Sequence, residues 1–360
     1  MYAHQEPLAS DYLDLSDAEF DRRIQARRQE LGAKLVILGH HYQRDEVIQY
    51  TDFRGDSLQL SQLAAKEREA AIIIFCGVHF MAETADILTS ERQKVILPDL
   101  NAGCAMADMA ELDQVEECWS RLKAAYGKEI LPITYVNSSA EIKAFCGRNG
   151  GLTCTSSNAE KVMRRALLED RIILFLPDEH LGRNTAAKFG IPSDEIFVWL
   201  RENPDLELPA RVPRLVLWNG FCTVHQRFTP AKVDLVRKHY PGIKVIVHPE
   251  CEQAVVEKSD LCGSTEYIIR TIEQAPAGSE WAVGTEINLV HRLASEHPEK
   301  RIVCLNETVC LCASMYRIDR PHLLWTLDNL AQGKTVNRIV VPQAVKTDAL
   351  QALNRMLKLA

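Results

Sequence analysis

The chain has 360 residues, of which 46% are hydrophobic and 25% charged, and a net charge of −7. That length suits two or three domains, and with no basic block nucleic acid and anionic membranes are not expected partners. The start lacks a basic-then-apolar leader and the longest apolar stretch, Ala70 to Phe75, is too short for a bilayer, so no signal peptide or membrane span is predicted and a cytoplasmic protein is expected.

Residues 1–30 read as a helical lead-in, opened by Ser16 with Glu19 three positions on. The chain then repeats itself with a period of roughly 100 residues, about the size of a small domain. The first repeat, 31–118, runs from the β-like stretch Lys34 to Tyr42 to a helix start at Gly55-Asp-Ser57. A second strand, Ile72 to Glu83, and a closing run, Val95 to Cys104, complete it. The second, 119–228, has Leu131 to Asn137, a helix start at Thr155 to Glu160, Ile172 to His180, and Leu215 to Cys222. Inside it, Ile191 to Arg214 breaks the pattern; Pro192, Pro204, Pro209 and Pro213 predict a surface excursion. The third, 229–318, has Ile243 to Glu250, Gly263-Ser-Thr265, Trp281 to Glu286, and Ile302 to Cys312. The tail, 319–360, reads as one or two helices packed on the outside.

Short apolar runs alternating with helical patterns predict βαβ units. Ser138 with Glu141 and Ser157 with Glu160 fit capping boxes, and Thr229-Pro230 places proline at a first helical position. The expected fold is α/β, with three tandem αβα parallel-sheet domains in a pseudo-threefold triangle around one central site. Ligands of such sheets bind beyond the carboxyl ends of the strands, where the polar clusters fall.

Eleven cysteines without an export signal point to reduced thiols or metal ligation, and none forms a CxxC pair. Cys104, Cys222 and Cys312 close the three repeats at matched positions. Three thiolates from separate repeats suit a [4Fe–4S] cluster with one iron open as a Lewis acid. Cys310 competes with Cys312, and spacing alone does not separate them. Cys76, Cys118, Cys146, Cys154, Cys251, Cys262 and Cys304 read as core, since a lone cysteine is more often a small buried apolar residue.

Ser57, Ser156, Ser264 and Thr265 fall where helices should begin. Helix starts offer unpaired N–H groups to carboxylates and phosphates, although plain capping is the commoner use. At the strand ends, His40 with Tyr42, Tyr135 with Asn137 and His248 with Glu250 alternate, so each pair faces one side. Such residues move protons or orient carbonyls; singly, each is as easily a satisfied buried side chain. His225, three residues after Cys222, is within reach, and Glu83, His180 and Glu286 lie at the second strand ends. These features describe an iron–sulfur lyase or synthase acting on small anions. A hydro-lyase acting on a hydroxy acid and a non-enzymatic redox sensor are the alternatives; a sensor has no need of three anion-binding helix starts.

Together, His40-His-Tyr42, Gly55-Asp-Ser57, Tyr135-Val-Asn137, Cys154-Thr-Ser156, Pro177-Asp-Glu-His-Leu-Gly-Arg183, Cys222-Thr-Val-His225, His248-Pro-Glu250 and Gly263-Ser264-Thr265 resemble the quinolinate synthase family, from about Lys34 to Asp319. The resemblance implies three homologous α/β domains in a triangle. It also implies a [4Fe–4S] cluster on Cys104, Cys222 and Cys312, the last followed by Met315 as in the family. It implies that iminoaspartate and dihydroxyacetone phosphate are joined to give quinolinate, with an aspartate oxidase or dehydrogenase as supplier. Tyr42 and Glu250 would move protons, assisted by His40. Carboxylates and phosphate would be held by His40, Ser57, Tyr135, Asn137, Ser156, His225, His248, Ser264 and Thr265. His41, in place of a more usual Tyr or Asn, and the long Ile191 to Arg214 segment depart from the pattern.

Overall fold

The computed structural model describes Gln5 and residues 7–203, 205–306 and 310–359. Pro204 of the expected excursion and Glu307-Thr308-Val309 of the third closing run lie outside the described residues. The chain forms two compact units, Met1–Cys104 with Leu311–Pro342, and Ala105–Cys310 with Gln343–Ala360.

The first unit is built on β1 (Leu35–His40), β2 (Phe53–Gly55), β3 (Ile72–Cys76) and β4 (Lys94–Ile96). The second holds two sheets. One contains β5 (Ile130–Tyr135), β6 (Leu152–Cys154), β7 (Ile172–Leu176), β8 (Ile196–Trp199) and β9 (Leu215–Trp218). The other contains β10 (Lys244–Val247), β11 (Leu261–Cys262), β12 (Glu280–Gly284) and β13 (Arg301–Cys304). Every residue of β1, β5 and β7 is buried, as a parallel strand covered by helices on both faces requires.

Strand order carries the repeat. The sheets read β4-β3-β1-β2, β9-β7-β5-β6 and β13-β12-β10-β11, with all of these pairs parallel. Each is therefore a fourth-third-first-second arrangement, and the three αβα units expected from the sequence are present. Matching side chains recur in the same places. Asp52 accepts the N–H of Ile37 at 2.7 Å and Asp260 that of Val245 at 2.7 Å, while Arg28 and Arg237 bind the respective carboxylates.

Several local expectations change. The short edge strands β2, β6 and β11 were not foreseen; at two or three residues they are too brief to show a period. The segment Ile191 to Arg214 is more than an excursion, because β8 within it pairs in parallel with β9 at the sheet edge. The tail contributes a strand as well as helices: β14 (Arg338–Ile339) runs antiparallel to β4. Its helix Arg320–Ala331 packs on Asp17–Leu31 in the first unit, and Gln343–Leu357 packs on Ala140–Arg148 in the second.

Capping follows the predicted pattern at Ser16, at Ser264 and at Thr229-Pro230. Elsewhere it shifts. Ser139, not Ser138, caps Ala140–Arg148; the Ser138 hydroxyl instead donates to the Tyr135 carbonyl at 2.8 Å. The helix after Ser157 begins only at Ala159, so no Ser157–Glu160 box forms, and Ser157 pairs with the Thr155 hydroxyl. Asp56, one residue before Ser57, caps Ser57–Lys66 through a bond from the Gln59 N–H.

Candidate functional site

The strand ends supply the chemistry. In the first unit His40 terminates β1, and the backbone N–H of Tyr42 donates to its Nδ1 at 3.1 Å. The two rings meet edge to face with centroids 4.8 Å apart. In the second unit His248 follows β10, and the N–H of Glu250 donates to its Nδ1 at 3.4 Å. The two His-x-acid turns thus share one geometry. A ring whose Nδ1 accepts a hydrogen bond carries its proton on Nε2, so both histidines present an N–H donor. Burial holds His248 down at about 3, so this ring is neutral near pH 7.

Tyr135, His225, His248 and Glu250 come together in the second unit. His225 and His248 stack with centroids 4.7 Å apart, and Glu250 Oε2 lies 2.8 Å from His225 Nδ1. All four are at most 5% exposed, so substrate-sized charge meeting them has lost most of its water. Burial alone would raise the Glu250 carboxyl. The neighbouring rings of His225 and His248 and a hydrogen bond from Tyr135 outweigh it and bring the group down to about 2. Asp178 goes the other way. It is fully buried, faces the Glu250 charge, and is pushed well above the usual carboxylate range despite backbone N–H donors. The two buried carboxyls are thus driven in opposite directions, Glu250 down and Asp178 up.

The remaining expected residues are placed as follows. Ser264 caps the helix Thr265–Gln274, with Thr265 its first residue, and both are buried. Asn137 follows β5, and Ser156 lies in the turn before Ala159–Ala166 rather than at a helix start. Ser57 is the first residue of Ser57–Lys66, in the first unit with His40 and Tyr42. Glu286 is used as a cap, accepting from the N–H groups of Asn288 and Leu289. His180 sits in the first turn of Glu179–Ala187 against Gln226, and Glu83 lies on His79–Leu88, 3.7 Å from the His79 ring.

The cysteines divide by chemistry. Burial raises the thiols of Cys76 to about 12 and Cys262 to about 11, and drives Cys118, Cys146, Cys154 and Cys251 upward too. Such thiols make poor ligands, because a metal binds the thiolate. Cys104, Cys222 and Cys312 are half-buried. Two of them share a local fold: the carbonyls of Cys222 and Cys312 accept N–H groups from Gln226 and Tyr316, and a single 3-10 turn follows at His225–Arg227 and Met315–Arg317. Cys310 is buried, takes a bond from Asn306 at 3.0 Å, and is lowered to about 6 chiefly by a hydrogen bond from Cys304. Its sulfur is engaged inside the protein by Asn306 and Cys304, whereas Cys312 is half-buried. Cys104 and Cys312 belong to the first unit and Cys222 to the second. Within the second unit, Cys222, His225 and Glu250 offer ligand atoms all within 4.8 Å of one another. The donor set fits a thiolate-held metal centre.

Two residues of this site escaped the sequence. Asp178 reads as a simple cap in Pro177-Asp-Glu-His, and it does cap, by accepting from the Leu181 N–H at 2.7 Å. Its second oxygen is buried without a hydrogen-bond partner among the described residues, which no sequence pattern announces. Thr285, 3.3 Å from His225 Nε2, sits one residue before Glu286 at the end of β12 and was hidden by its charged neighbour.

A family model described as quinolinate synthetase A protein matches residues 22–358. A quinolinate synthase of Halalkalibacterium halodurans is 56% identical over 348 residues, 96% of this chain and 95% of that one. One of Bacillus velezensis is 54% identical over 99% of this chain and 97% of its own, and one of Anoxybacillus flavithermus 54% identical over 98% and 96%.

Proposed function

Since the chain belongs to the quinolinate synthetase A family, we infer that it forms quinolinate for NAD biosynthesis. The substrates we assign are iminoaspartate and dihydroxyacetone phosphate, joined with loss of phosphate and water. The observation that carries this assignment is the buried group Tyr135, His225, His248 and Glu250, a proton-handling set with N–H donors suited to anions.

His248 and His40 bind substrate carboxylate or phosphate oxygens through Nε2–H. Ser57, Asn137, Ser156, Ser264 and Thr265 add hydroxyl, amide and backbone donors. Glu250 in its resting state is too weak a base to take up a proton. Anionic substrate arriving beside it repels its charge and raises it toward the range in which it accepts one. Tyr135 hydrogen-bonds that carboxylate and keeps it aimed, and Tyr42 is the second proton carrier.

Cys104, Cys222 and Cys312, one from each of the repeats 31–118, 119–228 and 229–318, hold a [4Fe–4S] cluster, with 1–30 and 319–360 as flanking segments. When bound, the cluster supplies a Lewis-acidic iron for a substrate oxygen. A thiolate-held cluster calls for a reducing compartment, consistent with the cytoplasm. No helix among the described residues is long and apolar enough to cross a membrane. Iminoaspartate hydrolyses readily, so a nearby aspartate oxidase or dehydrogenase is the natural source.

The test is anaerobic purification, followed by iron and sulfide analysis and a quinolinate assay with the two substrates. Quinolinate formation that needs both substrates supports the assignment. An iron-replete protein that makes none overturns it.

A further inference from the structure

We propose that, when no cluster is present, Cys222, His225 and Glu250 form a mononuclear zinc(II) site with one open position. The three side chains offer a thiolate sulfur, an imidazole nitrogen and a carboxylate oxygen, the donor types zinc prefers. Their ligand atoms all fall within 4.8 Å of one another, and the closest pair, His225 Nδ1 and Glu250 Oε2, is 2.8 Å apart. Ligands of a tetrahedral zinc lie roughly 3–4 Å from each other, so small side-chain rotations bring the set to bonding geometry.

A second observation points to a ligand. His225 is 1% exposed, and its Nδ1 meets no hydrogen-bond geometry among the described residues, even though the Glu250 carboxylate is beside it. A buried nitrogen and a buried carboxylate thus lie 2.8 Å apart without an aligned hydrogen bond from Nδ1, both within 4.8 Å of the Cys222 sulfur.

The outer partners are already in place. A histidine that ligates through one nitrogen usually donates its other N–H to a fixed acceptor. His225 Nε2 lies 3.3 Å from the fully buried Thr285 hydroxyl, which fixes Nδ1 as the ligand atom. Tyr135 hydrogen-bonds the Glu250 carboxylate and orients it in the same way. All five residues belong to one compact unit.

The proposal shares Cys222 with the cluster assignment but does not rest on it, because the probe is the metal alone on cluster-free protein. Full-length chain, stripped anaerobically with a chelator, is titrated with cobalt(II) and back-titrated with zinc(II). One equivalent of cobalt is expected to give a thiolate-to-metal charge-transfer band that zinc abolishes. Cys222→Ala removes the band, and His225→Gln weakens binding. Thr285→Val, which leaves all three ligands, weakens it roughly 10- to 100-fold. Cys104→Ala and Cys312→Ala keep the band. Circular dichroism confirms that each variant is folded, and any unfolded variant is replaced by the Ser or Asn equivalent. No stoichiometric binding overturns the proposal, as does a band that survives Cys222→Ala. Loss of the band in Cys104→Ala or Cys312→Ala also overturns it, since the ion is then held by the cysteines alone.

Discussion

Glu250 is 3% exposed, yet the neighbouring His225, His248 and Tyr135 hold it ionised, with its carboxyl at about 2. Glutamine matches its shape and removes both the charge and the proton acceptor. Glu250→Gln is therefore expected to keep its fold and iron content while turnover falls about 100- to 10,000-fold, the range for loss of a positioned acid–base group. Turnover within a few-fold of wild type, at normal iron, would remove Glu250 from proton transfer. His248 and Glu250 were legible in the sequence because alternation on one strand end is a local pattern. The upward push on the Asp178 carboxyl was not, since it follows from burial and from the Glu250 charge, which are facts of three dimensions.

Helices show the same division between local and non-local information. Ser16 and Ser264 cap as read, because a cap needs only the residues of the next turn. Where the last two helices dock could not be read, because an amphipathic face does not name its partner. In the first unit, buried Asp328 on Arg320–Ala331 takes bonds from Arg23 and Arg27 at 2.6 Å each and from the Tyr12 hydroxyl at 3.1 Å. The two guanidiniums are 28% and 35% exposed, so they rehydrate when the carboxylate is lost. Asp328→Ala is expected to lower stability by about 1–3 kcal/mol, seen as a lower urea midpoint; an unchanged midpoint would mean the clamp contributes nothing. In the second unit Gly147 lets Ala140–Arg148 approach Gln343–Leu357, and a Cβ there would lie 1.8 Å from the Asp348 carbonyl oxygen. Helix propensity favours alanine by about 0.8–1 kcal/mol, but forcing two helices apart costs about 1–3 kcal/mol. The clash should win, so Gly147→Ala is expected to lower the melting temperature, and a rise would show that the helices separate easily.

Across the whole chain, the fold was readable because it is written three times. The fourth-third-first-second strand order recurs in every sheet, and each repeat closes near a half-buried cysteine. What the repeat does not encode was missed: β8 and β14 extend two of the sheets at their outer edges, each supplied by a segment with no counterpart in the other repeats. The cysteines make the sharpest test at this scale, because Cys104 and Cys312 belong to one compact unit and Cys222 to the other. If one cluster needs all three, then Cys104→Ala, Cys222→Ala and Cys312→Ala each lose most of their iron and sulfide. Cys310→Ser separates this from a general sensitivity to thiol loss. Cys310 is lowered to about 6, so thiolate character alone would make it a ligand, but it is buried and bonded to Cys304 and Asn306. Burial and internal bonding should prevail, and Cys310→Ser is expected to assemble a cluster with near wild-type iron content after anaerobic reconstitution. Iron lost in Cys310→Ser and kept in Cys312→Ala would reverse the assignment, and would move the third ligand into the unit that already holds Cys222.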